Sequence, residues 1–288
     1  MGTPARSASL VNTVPNIPLR GKRNKGQKRP RSAGAPDPAS APCPLCSAPD
    51  SGTHIMGGCT HRMMKALYIK RHNLGALCVA EHIARGAHGG SYMILDATSH
   101  DAVPAFAPDQ RVPDWMLSRN GRPLNATARA AADKLRPDLL LIPSIPLSNT
   151  RAPGYRGPVF RERGKHEVHI IEFGCCGDLR HAEKTAEKLE QHTELARRLR
   201  EAGWSVQYNP KTILTLGFAG SILKTAAPLL NQLGCREGQA NRCLSKLHGI
   251  AVSYAATILR SRRWLERQTP LAPHGAAVPP TGGTGAYG

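Results

Sequence analysis

Acidic residues are missing from the first 36 positions, where eight Lys and Arg residues stand unopposed. A segment of one charge sign, rich in Pro, Gly and Ser and without apolar periodicity, cannot bury enough surface to fold alone. Aromatic residues are scarce at 5%, so part of the 288 residues is expected outside any packed core. Long apolar runs are absent too. The most apolar window, residues 213–230, contains two glycines, Lys224 and Pro228, which excludes a membrane-spanning helix there. No apolar signal-peptide core stands near the start. These absences read as a soluble intracellular chain. In such a chain the eight cysteines serve as metal ligands or core residues rather than as a disulfide framework.

What is abundant is positive charge. The formal net charge is +19, and beyond the first 36 residues 31 basic residues still face 20 acidic ones. A basic folded part fits a polyanion partner, and nucleic acid is the usual one. The run "RGKRNKGQKRPR" (20–31) reads as a nuclear-localisation patch, a phosphate-binding arm or a solvated tail.

Punctuation by Pro and Gly divides the chain into a disordered basic arm (1–41), a Cys/His cluster (42–61), an α/β domain (62–265) and a Pro/Gly tail (266–288). Within the domain, helical spacing covers 62–85, and a short strand candidate spans 91–97. Loops with one short helix follow over 98–134, and a buried-type strand over 136–143. The run "HEVHIIEF" reads as a central strand, and 178–202 as one long helix stopped by Gly203. A further strand over 211–219 and helices near 220–233 and 239–264 complete a mixed sheet flanked by helices.

Cys43, Cys46, His54 and Cys59 follow the pattern C-x2-C-x7-H-x4-C. A Cys-x-x-Cys turn aims two thiolates at one point, and a later His and Cys complete a tetrahedral zinc site. Gly52, Gly57 and Gly58 are expected to supply its tight turns. His61 competes with His54 as the third ligand. Four protein ligands leave no open position, so the zinc would be structural. Cys175 and Cys176 read as core or loop thiols, and Cys235 and Cys243 as packing residues of the C-terminal helices.

Two carboxylates lie against apolar strands: Asp138, after Pro137, and Glu172. A charge in such a place must reach solvent or have a use. Paired carboxylates on neighbouring strands hold a divalent cation such as Mg2+ for phosphodiester hydrolysis, and a lysine completes the PD-(D/E)xK nuclease pattern. That lysine is absent: Gly174 stands two residues after Glu172. The following helix offers Lys184 and Lys188, which are also well placed to pair with neighbouring glutamates. Asp96 is a rival metal ligand and Glu81 an accessory one.

The order of the Cys-Cys-His-Cys cluster, "YIKRHN" (68–73), "RPDLLL", "IIEF" and "EKLEQHTEL" (187–195) resembles the C-terminal region of site-specific non-LTR retrotransposon proteins. The resemblance covers roughly residues 43–235. It implies a zinc knuckle before a restriction-endonuclease-like domain, with the lysine moved to the helix after the acidic strand in a K-x-x-x-Y-x-x-L frame. Lys188, His192 and Leu195 match that frame with His in place of Tyr. Lys188 is therefore the first choice and Lys184 the alternate. The resemblance further implies Mg2+-dependent nicking of a genomic DNA target. Its nucleic-acid contacts would come from Arg71 and His72, and from Arg156, Arg161 and Arg163 in an insertion between the two acidic strands. The family's reverse transcriptase, with its Tyr-x-Asp-Asp motif, has no counterpart here, so the chain reads as a fragment or a captured reading frame. A non-catalytic module binding DNA or RNA through the knuckle is the alternative.

Overall fold

β-Branched residues make the centre of the molecule. Val168, Ile170 and Ile171 lie in a ten-residue strand of the computed structural model, which describes residues 42–96, 106 and 111–268. The basic arm expected over 1–41 and the tail beyond 268 lie outside the described residues. In chain order the elements are α1 (Arg62–Ala84), β1 (Ser91–Leu95), α2 (Asp114–Leu117), α3 (Ala126–Ala132), β2 (Leu139–Pro146), α4 (Leu147–Thr150) and α5 (Phe160–Arg163). They continue with β3 (Glu167–Cys176), α6 (His181–Gln191), α7 (Thr193–Glu201), β4 (Ser205–Gln207), β5 (Ile213–Gly217), α8 (Ala226–Gln232) and α9 (Glu237–Gln268).

The sheet is mixed and open. β1, β2 and β3 are antiparallel neighbours, and the other edge of β3 is shared by two parallel strands. β4 pairs with residues 167–169 and β5 with residues 172–176. Because strand side chains alternate, the sheet has two apolar faces. Leu139, Leu141, Ile171 and Phe173 pack with α1, α8 and α9. Leu140, Ile142, Val168 and Ile170 pack with Trp115, Leu195, Leu199 and Trp204. α1 comes so close to β3 that a Cβ on Gly75 would stand 2.3 Å from the Phe173 ring.

The single helix expected over 178–202 is two helices, α6 and α7, broken at His192. The break follows from where the backbone carbonyls find donors. The amide of His192 turns to the Glu190 carbonyl, and the Lys188 carbonyl accepts from the Tyr208 hydroxyl at 2.5 Å. Leu189 likewise gives its carbonyl to the Thr193 hydroxyl at 2.7 Å. The α9 helix runs past the expected end at 264, and residues 266–268, assigned to the tail by composition, are its last turn. The short strand β4 had no signal in its three residues.

The insertion between β2 and β3 carries a second correction. Leu139 pairs with Ile171 and Leu141 with His169, so the insertion joins the ends of these strands remote from Asp138 and Glu172. Arg156 and Arg161 are exposed there. Arg163 is not a surface residue: it is 1% exposed. Its guanidinium donates to the carbonyls of Pro158, Ser118 and Ala202 at 2.6–3.1 Å and lies over the Trp204 ring. It ties the insertion to the core and cannot meet a phosphate. Truncating it strands three acceptors. Arg163→Ala is expected to lower unfolding stability by about 2–4 kcal/mol, and Arg156→Ala by less than about 0.5 kcal/mol. Urea unfolding monitored by tryptophan fluorescence separates the two; equal effects would contradict the structural role.

Candidate functional site

Asp138 and Glu172 share a sheet face with Leu140 and Ile170, the face covered by α6 and α7. Glu172 has no solvent exposure. A buried carboxylate is tolerated only when countered and hydrogen-bonded, and its partners come from three directions. Oε2 accepts from the Lys188 ammonium at 2.9 Å. Oε1 accepts the Asp138 backbone N–H at 3.1 Å and stands 3.3 Å from His192 Nε2. Asp138 returns the strand contact: its Oδ2 accepts the Phe173 N–H at 2.9 Å and the Lys188 ammonium at 2.8 Å. Its Oδ1 lies 3.0 Å from His72 Nε2. One ammonium therefore bridges both carboxylates, and the helix break at His192 turns that ring toward Glu172.

The charges follow from this packing. Burial works to raise the Asp138 carboxyl, but the hydrogen bond and charge of His72, joined by Lys188, outweigh it and hold Asp138 well below the usual carboxylate range. Burial pushes Glu172 up, opposed by its His192 contact and reinforced by the Asp138 charge. Burial also works against the Lys188 ammonium, yet the two carboxylates prevail and its pKa is raised. Lys188 is therefore an ammonium at neutral pH.

Other expected residues fall elsewhere. Lys184 pairs with Glu187 at 2.6 Å and does not touch the carboxylates. Its stem occupies the space left by Gly174, where a Cβ would come within 3.1 Å of Lys184 Cγ. Asp96 pairs with Arg136 at 2.5 Å, and Glu81 lies near Arg85 and Lys246. His72, expected at the nucleic-acid contact, lines the cleft and stands 3.0 Å from Asp138. Arg71 is 2% exposed, so it is no free surface contact. It donates to the Met56 carbonyl at 2.9 Å and lies over the Phe218 ring.

The Cys/His cluster closes as the spacing predicts. Donor atoms of Cys43, Cys46, His54 and Cys59 all lie within 4.8 Å of one another, a set that can hold a zinc ion. His54 Nε2 stands 3.3 Å from Cys46 Sγ, and His61 is not in the cluster. The Ala48 backbone holds the Cys46 thiol down at about 6, whereas burial raises Cys59 to about 11. The tight turn uses Ser47 at φ 63°, not the glycines, none of which adopts a positive φ here. Gly57 instead admits the Phe218 ring, 2.8 Å from where its Cβ would be. Asp50 anchors the cluster to α9 through two bonds from Arg262, at 2.9 and 2.6 Å.

A cleft of about 690 Å³ separates this cluster from α6, and Arg71, His72, Arg180, Lys184 and Lys188 line it. A second opening, of about 380 Å³, reaches Asp138 from the other side of His72. Among the described residues no helix is long and apolar enough to cross a membrane. Comparison of the chain with protein-family models, curated proteins and solved structures found no match.

The cluster geometry separates the two histidines. His54→Ala is expected to lose about one zinc equivalent per chain, and His61→Ala to retain it. Elemental analysis of the purified proteins reads this, and zinc loss in the His61 variant alone would reverse the assignment.

Proposed function

We propose that the chain is a metal-dependent endonuclease that nicks DNA, with a restriction-endonuclease-like core behind a zinc knuckle. One observation carries this reading: Asp138 and Glu172 converge on a single cation, the Lys188 ammonium, at 2.8 and 2.9 Å. Two hard oxygen donors from neighbouring strands suit Mg2+, and the site already accommodates a positive charge between them. Asp138 and Glu172 would hold the ion. When bound, Mg2+ supplies Lewis-acid stabilisation of phosphate oxygens and a more acidic water.

The chain's own groups do the rest. His72 orients the Asp138 carboxylate, and His192 stands beside Glu172. An ammonium at Lys188 is suited to stabilising negative charge on the phosphate rather than to accepting a proton. Lys184 and Arg180, at the wall of the cleft, add positive charge where a backbone would approach, although Glu187 and Glu183 partly offset it. The Cys/His cluster forms the opposite wall, which makes the knuckle a second surface for the same duplex. A genomic target and a nuclear setting follow only from the resemblance to retrotransposon proteins.

A second reading has its own support. Glu172 is sealed from solvent and all four carboxylate oxygens of the pair have close polar neighbours. A satisfied ion cluster of this kind would also suit a module that binds DNA or RNA and no longer cuts.

The test is nicking of supercoiled plasmid with Mg2+. Wild type is expected to nick, while Asp138→Asn, Glu172→Gln and Lys188→Met each lose about a hundredfold or more. Binding to the same DNA should change little. Binding without nicking by the wild type would favour the non-catalytic module, and equal nicking by all four proteins would refute the assignment.

A further inference from the structure

Away from the cleft, α1 and α9 bring three buried donor groups together. We propose that Cys78, His82 and Cys243 form a second metal site, one that takes Zn2+ and clamps these two helices. A sulfur or ring-nitrogen atom from each residue lies within 4.8 Å of those of the other two. Exposure is 2% for Cys78, 8% for His82 and zero for Cys243. The inference does not depend on the nuclease reading.

The sequence places two of the donors by helix geometry alone. Cys78 and His82 are four residues apart on α1, so they share one face, one turn apart. Cys243 comes from the second turn of α9, across the helix seam. Each sulfur lies 4.0 Å from the backbone carbonyl of the other cysteine, so the two thiols face one another. His82 Nδ1 lies 2.7 Å from the Cys78 carbonyl. A carbonyl only accepts, so Nδ1 carries the proton and the lone pair is on Nε2. Nδ1 is also the ring nitrogen 3.8 Å from Cys78 Sγ, so zinc binding at Nε2 requires the ring to shift toward the thiols, keeping the tautomer that a backbone carbonyl fixes in many metal-bound histidines.

Charge selects the ion. The surroundings are apolar: Val79, Ala240, Leu247 and Ala251 belong to the same buried cluster. Two thiolates and a neutral imidazole balance a divalent ion, giving a complex with no net charge. A monovalent soft ion in the same cage would leave a buried negative charge. Binding balances when Zn2+ displaces the two thiol protons to solvent, forms two Zn–S bonds and one Zn–N bond, and keeps one of its own water molecules as the fourth ligand. Ligand atoms around tetrahedral zinc stand roughly 3.5–3.8 Å apart, so closure from the present spacing needs side-chain adjustment and no movement of the helices.

The position gives the site a purpose. α1 and α9 run in opposite directions, since Met64 of α1 packs with Ile258 and Leu265 of α9, and Cys78 faces Cys243. The Cys/His knuckle grips one end of this pair. The proposed site grips it about 21 Å away along α1, taking 1.5 Å per residue from Met64 to Cys78. Between the two grips lie Arg71 and His72.

Zinc content of the full chain, purified with a phosphine reductant, tests this. About two equivalents are expected for wild type and about one each for Cys243→Ser and Cys43→Ser. Almost none is expected when both are changed. Wild-type zinc near one equivalent would overturn the proposal, as would unchanged zinc in Cys243→Ser. So would an intact mass two units low that maps to a Cys78–Cys243 disulfide. Because Cys243 sits in the core, a measurement on the wild type stands beside the variants. Cobalt titration of the metal-stripped protein, followed by thiolate-to-cobalt charge transfer, should saturate near two equivalents; saturation near one refutes the second site.

Discussion

A fully buried glutamate in the central strand sets the terms for the rest of the molecule. Glu172 has no water to solvate it, and an uncompensated charge at that depth costs several kcal/mol. The fold meets this with a single ammonium and a backbone amide, and each of them imposes something further. Lys188 reaches the strand only because α6 lies over β3 and β5, which the parallel pairing of β5 with residues 172–176 arranges. The Asp138 amide reaches Glu172 only because β2 begins opposite it. Asp138 answers by accepting the Phe173 amide, so the two carboxylates stitch the end of the β2–β3 pair as side chains where the ladder stops. The ion cluster is part of the sheet.

That dependence explains why α1 is held so firmly. His72 on α1 supplies the third cationic or polar partner of Asp138, and small displacements of the helix would unmake it. Gly75, one turn on, brings the helix down onto the Phe173 ring. At its start, α1 meets the Cys/His cluster through the Tyr68 hydroxyl, which donates to the Ile55 carbonyl at 2.6 Å, and through Arg71. Arg262 of α9 closes the same cluster from the other side. The cluster therefore acts on the carboxylates through α1, and a structural metal there would bear on the geometry of the cleft without touching its chemistry.

Much of this was legible in the residues, for reasons that also mark the limit. The alternation and β-branching of Val168, Ile170 and Ile171 announce a strand, and a carboxylate at its end is conspicuous because burying charge is costly. The Cys/His cluster is local in sequence, so spacing alone assembles it. Lys188 was separable from Lys184 only by matching a family frame; in the structure Lys184 turns to Glu187 while its stem fills the place left by Gly174. What stayed hidden depends on contacts between residues far apart in the chain. Arg163 reads as one more surface arginine until Trp204, Ser118 and Ala202 are brought around it. His72 and Asp138 are 66 residues apart, and the break in α6–α7 is made by Tyr208, from beyond the helices. Cys78 and His82 carried a readable signal, a Cys-x-x-x-His on one helix face, but its partner lies 165 residues away in α9.

The ammonium between the carboxylates also constrains how such a site could work. Lys188 stabilises the pair because two negative charges side by side would otherwise repel, with burial and the Asp138 charge both pushing Glu172 up. If Asp138 and Glu172 held a divalent ion, as proposed above, it would supply that counter-charge in place of the ammonium. A lysine on the strand itself, at position 174, would be tied to the sheet backbone. Lys188 instead reaches both carboxylates from the covering helix α6. Placing the lysine on the neighbouring helix sets one positive charge between two buried carboxylates without occupying a position in the strand.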